Sequence, residues 1–112
     1  MHELSIVMGI VRIAEAEARK SGYDAIDEIE LEIGELAGVE MEAFDFAWNQ
    51  AKRGTMLDKA EKIVHRPEGI ARCLGCGQTF RMNNLYDACT CCGSCFSDIV
   101  QGREFKVKSI TV

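Results

Sequence analysis

The 112-residue chain holds only two histidines, one proline and one tryptophan, and no long apolar run. Each scarcity narrows what it can be. No stretch approaches the roughly 18 consecutive apolar residues that suggest a membrane-spanning helix, so no span is expected. The start is not expected to be a secretory leader: Glu3 stands where basic residues belong, and Arg12, Glu15 and Glu17 interrupt the apolar stretch. A cytoplasmic setting is therefore expected. No stripe of lysine and arginine is wide enough for a phosphate backbone, which speaks against DNA or RNA as a ligand. Neither a Ser/His/Asp set nor a phosphate-cradling glycine loop is apparent, so the chain does not read as an enzyme. Low-complexity tracts are absent, and nothing repeats except the cysteine clusters.

Charge is unevenly spread about a net value of −5. Residues 1–70 carry 15 acidic and 8 basic side chains, giving −7, whereas residues 71–112 carry 3 and 5, giving +2. Four zinc-bound thiolates would add −2 to the second part and leave it about neutral. The case for a nucleic-acid partner then weakens further.

What is present alternates between helical and extended patterns. Leu4, Val7, Met8, Val11 and Ala18 recur at helical spacing; Ile6, Ile10 and Ile13 widen the stripe, opposite Ser5, Arg12, Glu15 and Arg19. Gly22 suits the left-handed residue just past a helix that ends on Arg19 and Lys20. The period then drops to two. Ile29, Leu31 and Ile33 mark one face of a strand, and Glu28, Glu30 and Glu32 the other. Gly34 and Gly38 bracket a loop. A second helix is expected from about Glu40 to Arg53, with Met41, Phe44, Trp48 and Ala51 on one side. "AEKIVHR" reads as a weaker strand, stopped by Pro67 and Gly69.

"REFKVKSITV" reads as a last strand, with Phe105 and Val107 on one face and Lys106 and Lys108 on the other. Ile110 and Val112 fall out of phase, so a bulge or twist is expected near Ser109. Placed beside residues 28–33, this strand would set its lysines against the glutamate row, at about 0.2–1 kcal/mol per pair. The pattern predicts an α+β fold, two helices packed on a three-stranded sheet, formed by residues 1–68 plus 100–112. Residues 69–99 are expected to be an inserted, zinc-ribbon-like domain.

That insert carries all six cysteines, in "CLGCGQTFRMNNLYDACTCCGSC". In a reducing compartment, close pairs point to metal or redox chemistry before disulfides. Cys73 and Cys76 form one C-x₂-C pair; the second is either Cys89/Cys92 or Cys92/Cys95. Glycine decides between them. Gly77 follows Cys76 as Gly93 follows Cys92, and such a glycine lets the chain turn and aim its N–H groups at the thiolates. Cys73, Cys76, Cys89 and Cys92 are therefore the expected zinc ligands, with Cys91 and Cys95 as spare thiols. Four protein ligands close the coordination shell, so the zinc would be structural. Phe80, Leu85, Tyr86 and Phe96 are the insert's few core candidates, so zinc binding, at about 10–16 kcal/mol, would dominate its folding. Disulfides and a four-thiolate iron site are the alternatives, and colour would separate iron from zinc.

The opening "MHE" has its own chemistry. A histidine so near a chain end is by default a solvated accident. Yet a bulky second residue keeps the initiator Met1 in place. The Met1 amine, the His2 amide nitrogen and His2 Nδ1 then form fused chelate rings in one plane, which suits Ni(II) or Cu(II). The amide must lose its proton to bind, and the first N–H groups of a helix have no intrahelical acceptor to lose. The Glu3 amide, a distant side chain or a partner's ligand could take the remaining position. His65, at a strand end, reads as a partly buried residue more readily than as a nickel ligand. The glutamate row reads as a solvated or lysine-paired face more readily than as a docking site for a basic partner.

"MHELSIV", "LEIGELAGVE", "AKRGT", "CLGCG", "CTCCGS" and "GREFKVKSI" follow one another over essentially the whole chain. In that order they resemble the HypA/HybF family of hydrogenase maturation proteins. The resemblance implies a nickel-binding α+β domain with an inserted zinc domain. It implies transferable Ni(II) held by Met1, His2 and Glu3, and structural Zn(II) held by Cys73, Cys76, Cys89 and Cys92. It further implies delivery of nickel to the large subunit of NiFe-hydrogenase together with the GTPase HypB; some members also serve urease. Thr90, where proline is common, and the additional Cys91 and Cys95 depart from the family pattern. Two other functional classes fit the cysteines: a zinc-ribbon nucleic-acid or transcription module, opposed by the acidic surface, and a rubredoxin-like electron carrier.

Overall fold

The structure, a computed structural model, describes residues 3–112. Its elements run α1 (Glu3–Lys20), β1 (Glu28–Ile33), α2 (Met41–Ala51), β2 (Glu61–His65), β3 (Ile70–Cys73), β4 (Thr79–Arg81), β5 (Ser97–Gln101) and β6 (Phe105–Thr111). The strands form two sheets of three, ordered β2-β1-β6 and β4-β3-β5. The chain divides into two compact units. One comprises residues up to Leu31 with Val39–Val64 and Lys106–Val112; the other comprises Glu32–Gly38 and His65–Phe105.

In the first unit α1 buries Val7, Ile10, Val11, Ala14 and Ala18. This stripe is narrower than the sequence pattern: Leu4, Met8 and Ile13 are exposed. At about 100° per residue, Met8 and Ile13 lie more than a quarter-turn to either side of the buried centre, and Leu4 lies in the first turn. The helix ends as Gly22 requires, at φ 85°. The Gly22 N–H donates to the Arg19 carbonyl and the Tyr23 N–H to the Ala18 carbonyl, both at 2.9 Å, satisfying two of the four carbonyls that a helix end leaves open.

α1 packs against α2, which buries Phe44, Ala47 and Trp48. The Phe44 and Trp48 rings stack with centroids 6.1 Å apart, and Lys62 Nζ from β2 lies 5.5 Å from the centre of the Phe44 ring. Its ammonium also pairs with Asp45. Glu40 caps the start of α2: its carboxylate accepts from the N–H groups of Ala43 (2.7 Å) and Glu42 (3.2 Å). The helix stops at Ala51, short of the expected Arg53, with Lys52 as its C-terminal cap. Thr55 closes a turn directly after it, its hydroxyl donating to the Lys52 carbonyl. Met56 in that turn donates its N–H to Glu15 of α1 at 3.0 Å.

β1 alternates as its sequence does, with Ile29, Leu31 and Ile33 buried. It is the central strand, so the lysine-bearing β6 lies beside the glutamate row. Along β6 the half-buried positions are Val107 and Ile110. A spacing of three breaks the two-residue alternation around Ser109, where the sequence loses phase.

The second unit differs more from expectation. Strands β3, β4 and β5 were not legible, and of the insert's four expected core residues only Phe80 is buried. Leu85, Tyr86 and Phe96 are 44, 84 and 77 % exposed. The core is instead Leu36, Ala71, Cys73, Phe80, Met82 and Cys89, with Ile99 packed against it. Leu36 comes from the loop after β1, and backbone contact locks that loop in place. Leu36 N–H donates to the Gly102 carbonyl and Gly34 N–H to the Glu104 carbonyl, each at 2.7 Å, and Glu35 N–H to the Pro67 carbonyl at 3.0 Å. Arg66 Nε donates to the Ile33 carbonyl at 2.7 Å. Glu35 takes a two-pronged contact from Arg81 Nη2 at 2.8 and 3.0 Å, which holds its carboxyl below the usual range.

The segments approach so closely that no side chain fits. A Cβ on Gly34 would stand 2.0 Å from the Gly102 carbonyl oxygen, and one on Gly69 would stand 2.2 Å from that of Met82. Gly9, inside α1, has nothing within 4 Å of such a carbon. Gly34→Ala should therefore cost about 1–3 kcal/mol by overpacking. Gly9→Ala should stabilise the helix by up to about 1 kcal/mol. Urea unfolding of the metal-loaded variants, followed by circular dichroism, checks both signs.

Candidate metal centre

Two turns of identical construction build the sulfur cluster. In the first, Cys73 N–H donates to the Gln78 carbonyl, Gly77 N–H to the Cys73 carbonyl, and Gly75 N–H to Cys73 Sγ, at 2.9, 2.9 and 3.3 Å. In the second, 16 residues on, Cys89 pairs with Ser94, Gly93 with Cys89, and Cys91 N–H with Cys89 Sγ, at 2.8, 2.9 and 3.3 Å. Gly77 and Gly93 take the same left-handed conformation, with φ of 76° and 77°. Each turn needs that conformation directly after its second cluster cysteine, Cys76 or Cys92, and glycine adopts it without steric cost.

The same correspondence accounts for the two spare cysteines. Cys91 stands where the first turn has Gly75, so the turn uses its N–H while its thiol stays exposed. Cys95 corresponds to Thr79, the residue that leaves the first turn to begin β4, and it too is exposed.

Cys73, Cys76, Cys89 and Cys92 come together with their sulfurs all within 4.8 Å of one another. Cys73 and Cys92 are 3.4 Å apart and Cys76 and Cys89 3.7 Å. A tetrahedral ion with metal–sulfur bonds of about 2.3 Å sets its sulfurs about 3.8 Å apart, so the cluster fits Zn²⁺. A disulfide needs about 2.05 Å, and all six cysteines are free thiols.

The electrostatics divide the four into two kinds. Cys73 is lowered to about 6, chiefly by the Cys76 backbone N–H aimed at its sulfur. Cys89 is lowered likewise by the N–H groups of Cys92 and Cys91. Cys76 and Cys92 also receive backbone N–H groups, from Gln78 and Ser94, which lower them. Burial and neighbouring thiols outweigh this and raise both, Cys76 to about 12. Each turn thus supplies one cysteine whose thiol is lowered and one whose thiol is raised.

Met1 and His2, two of the three expected nickel ligands, lie outside the described residues. Glu3 is the first residue of α1, and its Oε2 is shielded from solvent with no hydrogen-bond partner among the described residues. A shielded carboxylate oxygen without a donor is suited to a cation. His65 is exposed at the end of β2.

Four cysteines whose sulfurs are set for a tetrahedral ion define a metal-binding protein. The chain belongs to the HypA family, described as hydrogenase/urease nickel incorporation, metallochaperone, which it matches over residues 1–112. It is 44 % identical over 112 residues to the hydrogenase maturation factor HypA of Parabacteroides distasonis, covering all of this chain and 97 % of that one. To the HypA of Chlorobaculum tepidum it is 41 % identical, covering all of this chain and 99 % of that one. Among solved structures it resembles the solution structure of the Ni metallochaperone HypA from Helicobacter pylori. The TM-score is 0.67 at 26 % identity, over 99 % of this chain and 97 % of that one. The family's role is nickel incorporation in hydrogenase maturation, with nickel as cargo and zinc at the four-cysteine centre. The nucleic-acid and electron-carrier readings of the cysteines give way to it.

Cys73→Ser and Cys92→Ser are expected to lose zinc and to expose residues 70–101 to protease, whereas Cys91→Ser and Cys95→Ser should keep full zinc content. Elemental analysis and limited proteolysis distinguish the two groups. Loading the metal-free protein at neutral pH should also release protons, those of the raised thiols Cys76 and Cys92 among them, so zinc affinity should rise with pH. A pH-indicator titration measures that release.

Proposed function

We propose that the chain takes up Ni(II) at its N-terminus through Met1, His2 and Glu3 and passes it to the large subunit of NiFe-hydrogenase. It acts as a carrier and not as an enzyme, in the cytoplasm and together with the GTPase HypB. Cys73, Cys76, Cys89 and Cys92 hold the structural zinc. Nickel belongs to the part formed by residues 1–68 and 100–112, and zinc to residues 69–99.

The observation that carries this reading is the Glu3 carboxylate at the first residue of α1, with one oxygen shielded and unpaired among the described residues. The Ni metallochaperone title of the Helicobacter pylori relative supports the cargo. Donor chemistry supports the ligands. An amine, a deprotonated amide and an imidazole form a planar nitrogen set that suits Ni(II), whereas four thiolates suit Zn²⁺. The metals are thereby sorted by ligand softness and geometry. At the start of a helix the amides have no intrahelical acceptor, so giving up an amide proton there costs no helix bond. Because ordinary values are about 7.7–8.0 for the amine and about 6.5 for imidazole, acid returns protons to both donors and releases the cargo.

His2→Ala should abolish tight Ni(II) binding without lowering zinc content or helicity. Adding a single residue before Met1 should weaken binding too, by moving the amine out of its chelate ring. Calorimetric Ni(II) titration of untagged protein, with zinc analysis alongside, checks both. Unchanged nickel affinity in His2→Ala would refute the ligand assignment.

A further inference from the structure

Gly75 faces the sulfur cluster. A Cβ built on it would stand 3.6 Å from Cys73 Sγ and 3.7 Å from Cys92 Sγ, one ligand of its own turn and one of the other. The two turns are related by an approximate twofold exchange. Their backbone hydrogen bonds match pair for pair, and the Cys73–Cys92 contact of 3.4 Å answers to the Cys89–Cys76 contact of 3.7 Å. In that exchange Cys91 takes the place of Gly75 and carries the Cβ that Gly75 lacks. The Cβ of Cys91 is thereby set against Cys89 Sγ and Cys76 Sγ, as position 75 is set against Cys73 and Cys92. Cys91 and Cys76 are both exposed, whereas Cys73 and Cys89 are buried. A thiol outside the cluster thus stands one side-chain rotation from a solvent-facing ligand of the opposite turn.

We propose that Cys91 is an oxidation site, and that a peroxide joins it to Cys76 in a disulfide that expels the zinc. In a disulfide the Cβ of one cysteine lies about 3 Å from the sulfur of the other, so the two turns need to close by less than about 1 Å. Hydrogen peroxide is the oxidant. The Cys91 sulfur attacks one peroxide oxygen, the O–O bond breaks and water leaves, giving a sulfenic acid at Cys91. The Cys76 sulfur then leaves the metal and attacks the Cys91 sulfur. The S–S bond forms, the S–O bond breaks, and the departing hydroxide takes a proton to become a second water. The two sulfurs together lose two electrons and the peroxide gains them. Three thiolates no longer close the tetrahedral shell, and the zinc is released.

The other cysteines are poorer partners. Cys92 follows Cys91 directly, and consecutive Cα atoms, about 3.8 Å apart, fall short of the roughly 4.4–6.8 Å that a disulfide spans. Cys89 is buried, and its sulfur already accepts the Cys91 N–H. Cys95 corresponds to Thr79, the residue that leaves the turn.

The full-length, zinc-loaded protein is treated with hydrogen peroxide. A chromogenic zinc chelator follows release, and mass spectrometry of unreduced peptides locates the cross-link. Zinc should appear together with a Cys76–Cys91 link, and dithiothreitol should break the link and let zinc rebind. Cys91→Ser should slow release on the order of tenfold, because the exposed thiol that reacts first is gone. Cys95→Ser should release zinc like the unaltered chain. Zinc content before treatment shows that both variants are folded. Release as fast in Cys91→Ser as in the unaltered chain overturns the proposal. So does a link from Cys91 to any other cysteine or to a second chain, zinc lost while Cys91 remains a free thiol, or a chain that keeps its zinc under peroxide.

Discussion

Four sulfur atoms held within 4.8 Å of one another are the constraint on which the second unit depends. Its largest exposed side chains include Leu74, Leu85, Tyr86 and Phe96, so little apolar surface is withdrawn from water there. Two of its six core residues are themselves cysteines of the cluster. Without a cation, the thiols of Cys76 and Cys92 are held up and those of Cys73 and Cys89 held down. With a cation, metal–thiolate bonds worth about 10–16 kcal/mol supply what burial does not.

The remaining support comes from backbone. The loop after β1 sends Leu36 into the sulfur-bearing unit and is held by main-chain hydrogen bonds to Pro67, Gly102 and Glu104. Glycine at positions 34 and 69 is the condition for that approach, because any Cβ would overlap a carbonyl. Arg81 closes the arrangement from β4, bridging Glu35 and Glu68. The loop is thus as much a part of the metal-bearing unit as the insert itself.

The readable parts of the sequence were those where one periodicity or one spacing does the work. Ile29, Leu31 and Ile33 alternate with glutamates and are buried as a set; the helix signals at Gly22 and Glu40 fall at or next to real helix ends. Among the cysteines, Gly77 and Gly93 distinguished Cys92 from Cys95, because a left-handed glycine is a local demand that a sequence must meet locally. β3, β4 and β5, only three to five residues long, offered too little length for a pattern to emerge. The burial of Leu36 was invisible for another reason. It depends on segments distant in sequence meeting at glycines, and no local signal encodes such a meeting. Leu85, Tyr86 and Phe96 are hydrophobic yet exposed, because the core of that unit is small and two of its members are cysteines of the cluster. The N-terminal ligands rest on donor chemistry and family pattern, with Glu3 the one member that the structure describes.

Trp48 is the chain's sole tryptophan, and it lies stacked on Phe44 inside the first unit with Lys62 over its ring. Its emission therefore reports on the packing of the helical unit. The sulfur-bearing unit holds no tryptophan, so a probe of its own collapse has to be placed there separately.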